Sequence, residues 1–294
     1  MKSYEKVKRQ KIDYCNICGH LSELTWDHVP PQNCYNNFPV IFNDFFSGIP
    51  TKSSHNGRFQ NGFRYRSICS TCNNTLLGSK YDKELANFTS SVFQVVTSSL
   101  TIPDKINIRG IQINKLTRAI CGHFLSAKNY YDDKCIVDVE LREYFLGEDQ
   151  LPPEKFQLLY WIYLYNTITI FRDVYVKGFY KSVSFPDGVF SVLSAFPLSY
   201  IITDGFESCG LNNLFSFCTR NLDDKVDIPL DISSCLYPKT KTFRNFLWPC
   251  NISDNSDGIS MMLGNEINPT TIAARNISLF QSGSQKKLVS KMQK

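Results

Sequence analysis

From residue 12 to residue 84 the chain shows only short apolar stretches, broken by Cys, Asn, Pro and Gly. Such a texture builds little core of its own and predicts a small module held together by metal. From Lys83 the pattern becomes periodic. Leu85, Phe88, Val92 and Val95 recur at helical spacing behind Asp82, a candidate N-cap or first-turn acid. A second helix is predicted from about Asn114 to Ala127, with Leu116, Ile120, His123, Phe124 and Ala127 on one face. Beyond Leu151-Pro152-Pro153 the pattern favours strands. Ile168 to Val176 and Val183 to Ile202 are dense in β-branched and aromatic residues, punctuated by the turn signals Phe185-Pro186-Asp187-Gly188 and Thr203-Asp204-Gly205. The segment from Ser282 to Lys294 has few large apolar residues and is expected to fray. No internal repeat is present.

Composition is that of a globular protein: 294 residues, 43% apolar and 20% charged. The longest uncharged run, Phe156 to Phe171, is shorter than the roughly 20 apolar residues of a bilayer span and contains Asn166, Thr167 and Thr169. A buried strand or helix is therefore expected there, with no membrane partner. The start, Met1 to Arg9, has no apolar h-region, so the expected compartment is the cytoplasm and a disulfide framework is not expected. The net charge is +5, with 11 basic against 7 acidic residues in 1–84 and 21 against 20 in 85–294. A basic first part raises the local concentration of polyanions, although a solvated basic tail at residues 2–11 explains the same excess.

Eleven cysteines stand out. Cys15-Asn16-Ile17-Cys18 and Cys69-Ser70-Thr71-Cys72 are two C-x-x-C knuckles. Two residues between sulfurs let each knuckle present both thiolates to one tetrahedral Zn²⁺ at about 2.3 Å, and two knuckles close a structural site. One such pair alone could be a redox couple; two in a coreless segment point to zinc. His20 is an alternative ligand. Cys34, Cys121, Cys135, Cys209, Cys218, Cys235 and Cys250 show no second pairing and are expected to be buried thiols.

Between the knuckles stands Leu24-Thr25-Trp26-Asp27-His28-Val29-Pro30-Pro31, and Asn73-Asn74 follows the second. Here the sequence resembles the HNH endonuclease superfamily (ββα-metal, treble-clef nucleases), in the variant where two knuckles bracket an acid-His-x-x-Pro element and the second ends in Asn. The resemblance covers about residues 12–84. It implies an α+β fold: a zinc-bound ββα, treble-clef-like module at 1–84, followed by a larger mixed helical and β-rich domain at 85–294 of open role. It implies hydrolysis of phosphodiesters, in DNA more than RNA, in a setting such as restriction or antiphage defence. His28 would be the general base, because neutral imidazole titrates near operating pH. Asp27 and Asn73 would hold a catalytic Mg²⁺ or Mn²⁺ through hard oxygens.

Adjacent strand residues point to opposite faces, so Asp27 and His28 share one site only at a kinked strand end, where Pro30-Pro31 would stop the strand. The family's middle Asn has one candidate, Asn61, eight residues before Cys69; Asn61-Gly62 is equally a turn dipeptide. Arg58, Arg64 and Arg66 are candidate nucleic-acid contacts. Arg64 and Arg66 alternate with Phe63 and Tyr65, which puts the cations on one strand face; a solvated face reads the same way. His55 is expected on a solvated loop, and His123 as a satisfied core histidine. The Tyr160, Trp161, Tyr163 and Tyr165 run is a base-stacking platform or, more in keeping with strands, the buried face of a sheet. For residues 85–294 the expectations are recognition, homo-oligomerisation, or binding of a protein or ligand activator. The competing class for the whole chain is a noncatalytic zinc-binding nucleic-acid or protein adaptor.

Overall fold

The computed structural model describes residues 9–37, 40–42, 57–98, 105–163, 168–176, 188–204 and 211–231, with the pairs 261–262 and 271–272. The fold is mixed α+β. Its first part contains β1 (Ile12–Tyr14), β2 (Leu21–His28), β3 (Val40–Phe42), β4 (Gly57–Phe59) and β5 (Arg64–Cys69). β1, β2 and β5 form one antiparallel sheet in that order, and a register shift between Thr25 and Trp26 bends β2 just before its end. Asp27 then faces Tyr65 and His28 faces Arg64 across the ladder. The alternation in β5 places Phe63 and Tyr65 in the interior and leaves Arg64 and Arg66 half-buried on the other face.

β5 passes directly into helix. Wide π-helical turns over Thr71–Tyr81 continue as α1 (Asp82–Val96). The compositional boundary at 84/85 thus falls inside a helix, and Leu77, Tyr81, Leu85 and Phe88 on its two sides enter the same core. Asp82 is a first-turn acid of α1 and not its N-cap: its backbone is helical (φ −61°, ψ −25°) because the π-helical turns extend the helix ahead of it. The buried face of α1 is Leu85, Phe88, Thr89, Val92 and Val96, with Val95 turned to the edge.

β6 (Lys105–Gln112) leads without a loop into α2 (Ile113–Ser126), which is followed by α3 (Ile136–Leu146). The expected one-sided helix is in fact enclosed: thirteen of the fourteen residues of α2, all but Lys115, are buried. α1, α3 and the end of β5 pack around it. Gly122 permits the closest approach, since a Cβ there would lie 2.5 Å from Leu77 Cδ2 and 2.6 Å from Phe145 Cε2.

The remaining strands are β7 (Gln157–Ile162), β8 (Thr169–Val176), β9 (Gly188–Ala195), β10 (Leu198–Thr203), β11 (Asn212–Asn213), β12 (Lys225–Asp231), β13 (Met261–Met262) and β14 (Thr271–Ile272). An antiparallel sheet runs β11-β7-β10-β9-β8-β13; β12 pairs with β6, and β14 with β3 beside β4. Of the strand-rich stretch 183–202, the described residues form a hairpin of β9 and β10 that turns at Phe196-Pro197, where proline lacks the N–H a ladder needs. Tyr160, Trp161 and Tyr163 are buried, so this run is a core face and not a stacking platform. Tyr165, the Phe185-Pro186-Asp187 turn and residues 282–294 lie outside the described residues.

The first knuckle is tied into this core by Asn16. Its Nδ2 donates to the carbonyls of Leu125 and Lys128 at the end of α2, both at 3.1 Å, and its Oδ1 accepts from Arg9 Nη1 at 2.5 Å. Arg142 Nε of α3 donates to the Asn16 carbonyl at 2.8 Å. Behind it, Asp138 binds Lys128 Nζ and Arg172 Nη2, both at 2.6 Å and all nearly solvent-free. Replacing Asn16 by Leu, which fits the volume but pairs with none of these groups, is expected to lower unfolding free energy by about 2–4 kcal/mol in urea titration, each orphaned buried group costing about 1–3 kcal/mol. A loss under about 0.5 kcal/mol, the size of a surface substitution, would show that the tie is dispensable.

Candidate functional site

Cys15 directly follows β1 and opens the knuckle turn, Cys18 closes it before β2, Cys69 ends β5, and Cys72 stands in the first helical turn after it. Cys15 N–H donates to the His20 carbonyl and Gly19 N–H to the Cys15 carbonyl, both at 2.9 Å; Gly19 takes the left-handed conformation (φ +72°) that the knuckle requires. The strand pairing that aligns Leu24 with Cys69 brings the two knuckles together. The ligand atoms of all four cysteines lie within 4.8 Å of one another, with Cys18 Sγ 3.9 Å from Cys69 Sγ. The Cys69 N–H donates to Cys15 Sγ at 3.3 Å.

Hydrogen bonding from Cys72, against the pull of burial and helped by three backbone N–H groups, holds the Cys15 thiol down at about 5. Burial first, then the neighbouring sulfurs, push Cys18 up to about 11. Cys72 is raised as well, first through its hydrogen bond to Cys15 and then by burial. Four thiols this close ionise together only around a cation, and sulfur donors in this number suit a metal such as zinc. His20 is exposed and outside the cluster.

His28 sits at the end of β2, half-buried, with Nε2 2.8 Å from the Asn61 carbonyl. A carbonyl only accepts, so Nε2 carries the proton and Nδ1 is left with its lone pair. Burial lowers the His28 pKa from its ordinary value, opposed by the Asn61 carbonyl and the Asp27 charge. The ring is therefore neutral at neutral pH. Asn61 does orient His28, but through its main chain, so its side chain is not what the contact needs. Its partner Gly62 is: φ is +80°, and a Cβ would lie 1.9 Å from the Asn36 carbonyl oxygen. Buried Asn36, which the sequence pattern did not single out, clamps the two loops together. Its Nδ2 donates to the Pro30 (2.6 Å) and Phe63 (2.9 Å) carbonyls and its Oδ1 accepts from Phe63 N–H (2.7 Å).

Asp27 and His28 obey strand alternation: His28 lies toward the surface, whereas Asp27 is 5% exposed and points at α2. There Asp27 Oδ2 lies 3.3 Å from His123 Nδ1, and His123 Nε2 hydrogen-bonds Asp82 Oδ1 at 2.9 Å. Burial alone would push His123 down; the Asp82 and Asp27 carboxylates reverse this and raise it to about 10. His123 is thus buried, as expected, but joined to the acid of the Asp-His motif. Helical periodicity offered one signal: a histidine enclosed in apolar neighbours must find polar partners.

Asn73, in the π-helical turns, spends its Nδ2 on Thr25 Oγ1 and the Trp26 carbonyl, both at 3.0 Å, which secures it beside the residue before Asp27. Its Oδ1 accepts no hydrogen bond among the described residues. On the outer face the Arg64 and Arg66 guanidinium carbons lie 5.2 and 4.9 Å from the Trp26 ring centre. The Arg58 side chain and His55 are outside the described parts. The one other cluster of His, Cys, Asp or Glu at ligand spacing among the described residues, Cys135, Asp138 and Asp173, already has its carboxylates paired with Lys128 and Arg172.

No protein-family model, curated protein or solved structure matches this chain. No helix of the described residues is long and apolar enough to cross a membrane. For the cysteine cluster, metal analysis of the purified chain is expected to find about one zinc per chain, lost in Cys69→Ser and on chelation together with cooperative unfolding. Zinc-free protein with an unchanged melting transition would remove the cluster's assignment.

Proposed function

We propose that the chain is a metal-dependent endonuclease of the HNH type, acting on DNA and carrying structural zinc at Cys15, Cys18, Cys69 and Cys72. The observation that carries this reading is the state of His28: Nε2–H is committed to the Asn61 carbonyl, burial keeps the ring neutral, and Nδ1 is left as a base at the end of a strand flanked by Arg64. A neutral imidazole fixed in one tautomer by a hydrogen bond is what proton abstraction from water requires.

In this reading His28 Nδ1 takes a proton from water as the water oxygen attacks phosphorus, and the ester oxygen leaves as the new phosphorus–oxygen bond forms. Asp27 and Asn73 supply hard oxygens suited to Mg²⁺ or Mn²⁺, and Asp27 Oδ2 is buried 3.3 Å from His123 Nδ1. A cation held there would neutralise charge on the phosphoryl group and leaving oxygen. Arg64 and Arg66, held against Trp26, would contact flanking phosphates and set register without reading bases. Asn36 and the Asn61-Gly62 turn keep the His28 ring in place.

Plasmid DNA and a labelled RNA of equal charge, each incubated with the zinc-loaded protein and Mg²⁺ or Mn²⁺, test this. Cleavage of DNA by wild type is expected, with His28→Ala reduced about 10²–10⁴-fold, the usual contribution of a general base. Asp27→Ala should lose activity and fail to recover it at higher metal concentration. Equal cleavage by all three proteins, or none by wild type with any divalent ion, would leave a zinc-binding adaptor as the reading; cleavage confined to RNA would overturn the DNA assignment alone.

A further inference from the structure

His123 lies outside the motif region, about fifty positions beyond the second knuckle, on a helix buried on every side. Its ring closes a chain of ion pairs. Nε2–H donates to Asp82 Oδ1 at 2.9 Å, and Nδ1 faces Asp27 Oδ2 at 3.3 Å. Burial alone would strip the ring of its proton, but the two carboxylates outweigh burial and keep it an imidazolium. One cation thus serves two acids, and among the described residues neither acid pairs with a Lys or Arg. The chain therefore carries one negative charge more than it neutralises, at a depth where an excess charge is costly. A bridge that only satisfied the core would need a single acid.

The other acid belongs to the Asp-His motif, and its two oxygens differ. Asp27 Oδ2 is enclosed against the imidazolium, whereas Oδ1 accepts no hydrogen bond among the described residues. A carboxylate that binds a cation through one oxygen is held in orientation by a hydrogen bond or ion pair to the other. We infer that His123, anchored by Asp82, is a positioning residue for Asp27: it holds Oδ2 from behind and leaves Oδ1 as the oxygen presented to a divalent cation. His123 itself touches neither the cation nor the substrate. Because one imidazolium charge is shared between two carboxylates, Asp27 keeps the negative charge that such a donor needs. This deepens the proposed function and rests on Asp27 as a donor of its cation site. The arrangement draws on three separate elements, β2 for Asp27, α2 for His123 and α1 for Asp82, so the residue that orients the motif's acid comes from beyond the motif.

The two amide isosteres of histidine separate positioning from packing. In His123→Asn the amide nitrogen takes the place of Nδ1 and still donates toward Asp27; in His123→Gln it takes the place of Nε2 and reaches Asp82 only. Both variants lose the ring and its charge, so the melting temperature should fall in both. The difference is read by Mn²⁺ titration of the zinc-loaded full chain, followed by the electron paramagnetic resonance signal of free Mn²⁺, and by DNA cleavage at saturating Mn²⁺. His123→Gln should weaken Mn²⁺ binding about 10–100-fold, the range for losing a ligand's hydrogen-bonding partner, and lower kcat with KM for DNA unchanged. His123→Asn should recover most of both. Equal losses in the two variants, the outcome of a purely structural role, or unchanged affinity in His123→Gln would overturn the inference. Should the variants fail to fold, the wild type suffices: the chain has four histidines, so ¹⁵N-histidine spectra resolve each ring, and the His123 Nδ1–H resonance should be present and shift when Mg²⁺ is added. A bare Nδ1, or a resonance indifferent to Mg²⁺, overturns it. An Asn–Gln split in Mn²⁺ affinity without DNA cleavage upholds the positioning and sinks the nuclease reading; equal losses beside His28-dependent cleavage do the reverse.

Discussion

A helix buried on all sides has no solvent to satisfy its polar groups, and α2 is such a helix. Each polar side chain it carries must therefore be met by a neighbour. Asn114 donates to Thr219 and the Asn221 carbonyl, Thr117 pairs with Tyr144, Arg118 donates to the carbonyls of Gly147, Glu148 and Gln150, and Ser126 meets Ser67. His123 meets Asp27 and Asp82. Each pairing fixes a different element against the same helix, so the arrangement of the described fold follows largely from the demands of one buried segment.

The cysteine knuckles share in this arrangement. A small metal-held hairpin standing free would depend on its ion alone, but Asn16 inside the first knuckle binds the end of α2, Arg142 reaches back from α3, and Lys128, Asp138 and Arg172 continue the contacts into the β8 strand. Buried charges of this kind hold geometry more than they add stability, because desolvation offsets much of their attraction. The result is a division of faces on the β2–β5 hairpin. Its inner face, with Phe63, Tyr65 and Asp27, packs into the core; its outer face carries Trp26, Arg64, Arg66 and His28.

Much of the site was legible as spacing. The two C-x-x-C pairs needed only the knowledge that two intervening residues let one turn present two sulfurs, and the four sulfurs do converge. The Arg64, Tyr65, Arg66 alternation gave the outer and inner faces of β5 because strand side chains repeat every second residue. Asn61 was legible as a candidate partner of His28 or as a turn residue, but not the main-chain character of the contact, since a carbonyl belongs to every residue and carries no sequence signature. Asn36 has no sequence signature for a related reason: a buried amide that bridges two loops stands at no characteristic distance from either.

Local periodicity determined the elements themselves: the helices near 82–96 and 113–126, the strands beyond 157, and the knuckles. These depend on backbone geometry and on neighbours within a few residues, which any sequence displays. Which residues meet across the fold was decided by tertiary packing. Enclosure turned an apparently one-sided α2 into the centre of the described core, brought the first-turn acid Asp82 against His123, and placed His123 against Asp27 from ninety-odd positions away. A pairing over that separation has no periodicity to announce it. It arises because a buried imidazole and a buried carboxylate, each costly alone, are stable only where the chain brings them together.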